Sequence, residues 1–139
     1  MSLRKTIVAL LALEIASYGQ FLTASNATVK QHMQEITVPA SNAVFAVAGE
    51  APKNDAEWKT VRTNALALVE SGQWLLDNAP TADSQIWRKA TKNLADAAKA
   101  AALAAKAKDT DNVSVAGNTL YEACESCHAS YLKKPVSTK

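Results

Sequence analysis

Apolar side chains recur along this chain at alternating spacings of four and three residues, the pattern of a helix that packs against other helices. Pro39 lies within the first such stripe and cannot donate a hydrogen bond to the carbonyl of Glu35, so we expect a kink about one turn after Met33. Gly49 and Pro52 end this first predicted helix. The stripe consists of Val29, Met33, Ile36, Ala40, Ala43 and Val47.

Two more stripes of the same kind predict a second and a third helix. Asn54 or Asp55 can cap the second helix, which should end at about residues 78–80. Thr81 or Asp83 can open the third helix, which is rich in alanine. The second stripe contains Val61, Ala65, Leu68, Gly72 and Leu75, and the third contains Ile86, Trp87, Ala90, Leu94, Ala97 and Ala101.

A turn at residues 109–112 should lead into a fourth helix. Its stripe contains Ala116, Leu120, Cys124, Cys127 and Tyr131. The chain has only 4 glycines and 6% aromatic residues, a composition that favours helices over strands. Because the connections between consecutive helices are short, we predict an all-α fold, an up-down-up-down four-helix bundle formed by residues 28–139.

The first 27 residues have the pattern of an export signal. Arg4 and Lys5 precede an apolar run over residues 6–13, and small residues follow at positions 23–27. The alternative is an uncleaved segment, but residues 6–22 are short and polar for a span of about 20 apolar residues. We therefore expect a periplasmic mature protein without a membrane span.

The most specific chemistry lies in the fourth helix, where Cys124-Glu125-Ser126-Cys127-His128 spells the C-x-x-C-H signature of c-type haem attachment. The two thiols can form thioethers with the haem vinyl groups, and the imidazole can bind the iron. A thioredoxin-like C-x-x-C would need a βαβ setting, and a zinc site would need more ligands than this chain's two cysteines and two histidines readily supply. We predict one covalently bound haem c and its iron as the cofactor.

Helical spacing brings the three motif side chains together. Cys127 and His128 follow Cys124 by three and four residues, so all three project from one side of the fourth helix. A haem attached there should lie along this helix, in the interior of the bundle.

These features together resemble the class II c-type cytochromes, which comprise cytochrome c′ and the low-spin cytochromes of the c-556 type. The specific parts are the motif near the carboxyl end, with Tyr131 three residues after His128, and the Met33-Gln34 pair followed by Pro39. The resemblance covers nearly all of the chain after the predicted signal. It implies that His128 is the fifth ligand of the iron and that Met33 faces the opposite side of the haem.

The group that occupies the sixth coordination position of the iron, opposite His128, decides between two functions. In c-556-like members, which the resemblance favours, the methionine binds the iron and gives a low-spin one-electron carrier; in c′-like members the iron is five-coordinate and binds NO or CO. His32 is a third alternative, but successive helical residues point about 100° apart, so His32 and Met33 cannot both address one iron. Met33 lies at the centre of the apolar stripe and His32 at its edge, which favours Met33.

Two cations are weaker candidates for contacts with the haem propionates. The resemblance places Lys30 near them, and Arg62 could reach them from the second helix, although for each residue a solvated side chain is the preferred interpretation. Trp58, Trp74 and Trp87 could touch the haem edge, but in a chain with so few aromatic residues core anchors are the preferred interpretation. Where family members commonly have an arginine four residues after the ligating histidine, this chain has Leu132.

The partner expected is another redox protein. A net charge of +2 is too small to indicate a nucleic-acid protein. Lys133, Lys134 and Lys139 form a basic tail that could steer an acidic partner. Many members of the family that the chain resembles form homodimers through the first two helices, so a homodimer is an open alternative to a monomer. No catalytic constellation is visible, so an enzyme is not predicted. The remaining alternative is a helical interaction module without haem, in which the cysteines oxidise.

Overall fold

The computed structural model describes residues 28–80 and 84–132, and throughout these two ranges the regular structure is helical. The predicted signal and the basic tail lie outside the described residues. Four helices are present in the described part of the chain: α1 over residues 29–48, α2 at Asp55–Asp77, α3 at Gln85–Lys106 and α4 at Thr110–Tyr131. None of these helices is long and apolar enough to cross a membrane.

The helices form an antiparallel bundle in which α1 and α3 each pack against both α2 and α4. His32, near the start of α1, is hydrogen-bonded to Ser71, near the end of α2. Phe45, near the other end of α1, stacks edge-on with Tyr121 in α4. The predicted all-α class and four-helix bundle are confirmed.

The core lies along the axis of the bundle and is filled mainly by leucine, valine and alanine. Its most deeply buried large apolar side chains come from α1, α2 and α4: Leu68, Leu75, Leu120, Val44 and Val113. The third helix contributes Trp87, Leu94 and a row of buried alanines. These small side chains bring α2 and α3 into close contact at Gly72.

The predicted start of α2 is confirmed, whereas that of α3 is wrong. The Asn54 side chain accepts a hydrogen bond from the backbone N–H of Glu57 at 3.0 Å, as an N-cap does. The cap of α3 is Ser84, not Thr81 or Asp83. Ser84 immediately precedes the first helical residue, and its hydroxyl accepts a hydrogen bond from the backbone N–H of Trp87.

The turn before α4 is shorter than predicted because α3 ends in a Schellman motif. Lys108 adopts a left-handed conformation with φ of 56°, its N–H donates to the Ala105 carbonyl, and the Asp109 N–H donates to the Ala104 carbonyl. Asp109 then caps α4 through the Asn112 N–H, so residues 110–112 are already helical.

The first helix departs from regular α-helical geometry before Pro39. It consists of an α-helical turn at Val29–His32, a π-helical turn at Met33–Thr37, an α-helix at Val38–Phe45 and a 3₁₀ turn at Ala46–Ala48. The predicted inward position of Ile36 is wrong: it is 43% exposed, while Thr37 is 3% exposed. A π turn holds one residue more than an α turn, so the buried face moves on by one position.

Candidate functional site

A cavity of about 90 Å³ lies where the start of α1 meets the end of α4. Met33, Cys124, Cys127 and His128 all line it. Residues 91 to 95 positions apart in the chain are therefore brought to one site. The structure assembles the four side chains that the sequence singled out as covalent and axial ligands.

The two cysteines are free thiols on the cavity side of α4. Burial raises the pKa of Cys124, and burial together with the neighbouring Cys124 raises the pKa of Cys127. Reactive dithiol sites have lowered thiol pKa values, because the thiolate is the nucleophile. In the described part of the chain, no group of three or more His, Cys, Asp or Glu side chains is arranged to hold a metal ion. The raised pKa values of both thiols contrast with those of a reactive redox C-x-x-C.

Met33 approaches the same cavity from α1. It is half-buried and packs against the core. It is also the first residue of the π turn, and its carbonyl accepts a hydrogen bond from the Val38 N–H. Such single π turns occur frequently at functional sites, since they re-aim side chains within an otherwise regular helix.

His32 does not belong to the cavity lining. Its Nε2 is 2.9 Å from the hydroxyl of Ser71, and its ring stacks on Trp74 with centroids 4.0 Å apart and planes 8° apart. Burial lowers the pKa of this imidazole, which favours its neutral form. The contacts of His32 are with α2, so the geometry favours Met33 over His32 as a ligand.

Apolar side chains from α2 and α3 form the back wall of the cavity. Trp87 is held there by a hydrogen bond of 2.6 Å from its Nε1 to the Leu75 carbonyl and by an edge contact with Tyr131. The Tyr131 hydroxyl in turn is hydrogen-bonded to Ser84. For Trp87 a core anchor was the preferred prediction and contact with the haem edge the alternative. Its spacing from Thr91 and Leu94 puts it on the face of α3 that lines the cavity.

Three hydroxyl-bearing residues of the lining were missed by sequence reasoning: Thr37, Ser41 and Thr91. Thr91 donates to the Trp87 carbonyl one turn earlier, as a helical threonine often does. The Ser41 hydroxyl is buried and lacks a hydrogen-bond partner in the described structure. The sequence did indicate that Thr37 and Ser41 share a helix face with Met33, because they follow it at intervals of four residues.

The residues present fit a haem in their chemistry. Two thiols, an imidazole, a thioether and an orphaned hydroxyl converge on a largely apolar cavity. The 90 Å³ cavity is narrower than the pockets of about 300–1,000 Å³ that enclose small ligands. To admit a haem, the helices that line the cavity would have to move apart. The lining already contains side chains that could bind the iron and the haem vinyl groups.

Lys30 and Arg62 do not reach the cavity. Both side chains are exposed, and neither is among the lining residues. Their contact with haem propionates stays a prediction.

Removing the orphaned hydroxyl should stabilise the chain in its haem-free form. We expect Ser41→Ala to raise the free energy of unfolding by about 1 kcal/mol, because it removes a buried polar atom that has no partner among the described residues. Urea unfolding followed by circular dichroism measures this. The matched control is Ser71→Ala, which leaves Thr37 unpaired and should lower the same quantity by about 1 kcal/mol. Equal shifts in the two variants would contradict the assignment of Ser41 as orphaned.

Comparison with known proteins identified no relative from which a function of this site could be inferred. No protein-family model matches the chain, and no curated protein matches it. The motif in α4 and the convergence of its side chains with Met33 therefore carry the functional argument.

Proposed function

We propose that this chain is a periplasmic class II c-type cytochrome, a one-electron carrier with one covalently attached haem c. The observation that carries the proposal is the convergence of Cys124, Cys127, His128 and Met33 on one cavity. The C-x-x-C-H motif indicates haem c as the cofactor, and the thioether of Met33, which lines the same cavity from α1, would supply a second iron ligand.

Each of the four side chains has a distinct role. Cys124 and Cys127 would hold the haem through thioether bonds, and His128 would bind its iron from α4. Met33 would supply a second protein ligand to the iron from α1. When bound, the haem supplies an iron centre that cycles between Fe(III) and Fe(II).

The lining of the cavity would favour the reduced state of a haem bound there. Leu75, Trp87 and Leu94 are buried apolar residues of this lining, and Trp87 is fixed by its hydrogen bond to α2. An apolar environment disfavours the higher charge of the oxidised centre, and methionine ligation raises the potential further. The chain would thus accept an electron at relatively high potential and pass it to another redox protein.

The second candidate is a five-coordinate, c′-like protein that binds NO or CO. It uses the same cysteines and His128 and differs only in leaving Met33 off the iron. The arrangement of Met33 beside the cavity favours the electron carrier, and the spectrum of the holoprotein distinguishes the two.

The test is an absorption spectrum of the purified holoprotein in both oxidation states. We expect a low-spin ferric spectrum with the weak near-infrared band of methionine-ligated haem, and little change when CO is added to the reduced protein. In Met33→Ala the band should be lost and CO should bind readily, because the sixth position is then open.

Ile36→Ala is the matched control, since Ile36 belongs to the same π turn but is exposed. It should keep the band. A wild-type protein that is high-spin and binds CO at once would transfer this chain to the gas-binding class.

A further inference from the structure

We infer that Ser71 of α2 is a positioning residue that holds the π turn of α1 and thereby directs Met33 at the haem iron. The inference rests on the proposed function, because it concerns the sixth ligand of that haem. Ser71 lies outside the cavity lining and is hydrogen-bonded to two residues of α1, His32 immediately before Met33 and Thr37 at the end of the turn that Met33 begins.

One hydroxyl group connects both ends of the irregular turn. Ser71 Oγ lies 2.9 Å from Nε2 of His32, the residue before the π turn, and 2.8 Å from Oγ1 of Thr37, the last residue of the turn. Ser71 is 1% exposed and Thr37 3% exposed, so neither hydroxyl has water to replace its partner. The cost of leaving them unpaired opposes any rearrangement of the turn.

These bonds select the π turn over a regular α turn. In an α-helix continuing from His32, the inward position would fall at Ile36, and Thr37 would rotate away from α2. The hydrogen bond to Ser71 is available only when Thr37 faces inward. Breaking it removes a specific interaction that favours the π form.

The same hydroxyl also fixes the direction of Met33. The His32 ring is held between the Ser71 hydroxyl and the face of Trp74, which directs this residue at α2. The next side chain along a helix points about 100° further round the axis. With His32 fixed against α2, Met33 is directed at the cavity it lines.

The test compares holoproteins that differ in this hydrogen-bonded group. Ser71→Ala and the nearly isosteric Thr37→Val are expected to lose the near-infrared methionine band and to shift the ferric haem toward high spin. Haem stain per chain after denaturation should be unchanged in both, because the thioether bonds are on α4. Thr37→Ser keeps the hydroxyl and should therefore keep the near-infrared methionine band.

Gln73→Ala is the matched control, because Gln73 is exposed and lies two residues from Ser71 on α2. It should keep the band of the wild-type protein. Retention of the full band in both Ser71→Ala and Thr37→Val would overturn the inference, as would a haem-bearing wild type that lacks the band. Absence of haem stain from the wild type would instead refute the proposed function.

Discussion

Replacing Cys124 and Cys127 together by alanine is expected to abolish the covalent retention of haem. The thioether bonds need both sulfurs, and this chain contains no other cysteine. Both side chains line the cavity, so each is placed to attach to a haem bound there. The measurement is haem staining after denaturing electrophoresis of protein made in bacteria that export the chain and attach haem c.

Ser126→Ala is the matched control for this variant. Ser126 lies between the two cysteines on α4 but is exposed, and its hydroxyl donates only to the Ala123 carbonyl. Its haem stain should equal that of the wild-type chain. Equal stain in the double cysteine variant would contradict covalent attachment, and no stain in any variant would favour the helical module without haem.

The sequence was sufficient to predict those features of the fold that depend on local spacing. The four-three stripes gave the helix count, and Gly49 and Asn54 marked helix ends that the structure confirms. The grouping of Cys124, Cys127 and His128 also followed from spacing, because residues three and four apart share a helix face. In a regular helix, the number of residues between two side chains fixes the angle between them around the helix axis.

Features that depend on partners far along the chain could not be predicted in this way. The π turn of α1 displaces Ile36 outward, and the hydroxyl that favours it, Ser71, lies 34 residues after Thr37. The placement of His32 against Trp74 likewise depends on the alignment of α1 with α2. The prediction from the apolar stripe used a constant number of residues per helical turn. At the π turn of α1, hydrogen bonds to Ser71 accompany a turn with one more residue.

Gly72→Ala is expected to lower the free energy of unfolding by about 2 kcal/mol, through the overpacking of α2 against α3. A Cβ at this position would lie 2.9 Å from the Cβ of Ala95 and 3.1 Å from the Thr91 carbonyl oxygen. Neither atom can rotate away, because one is fixed to the backbone and the other is part of it. The two helices must therefore move apart, which outweighs the better helix propensity of alanine.

Gly117→Ala is the matched control and should raise the free energy of unfolding by about 1 kcal/mol, the difference in helix propensity between glycine and alanine. Its Cβ would meet Phe45 Cδ1 at 3.7 Å and Val44 Cγ1 at 3.9 Å, which are ordinary contacts. Urea unfolding of both variants at equal haem content gives the two values. Because the same methyl group is added to two buried helical glycines, opposite signs would assign the effect to the spacing of α2 and α3. Stabilisation in both would contradict the close contact at Gly72.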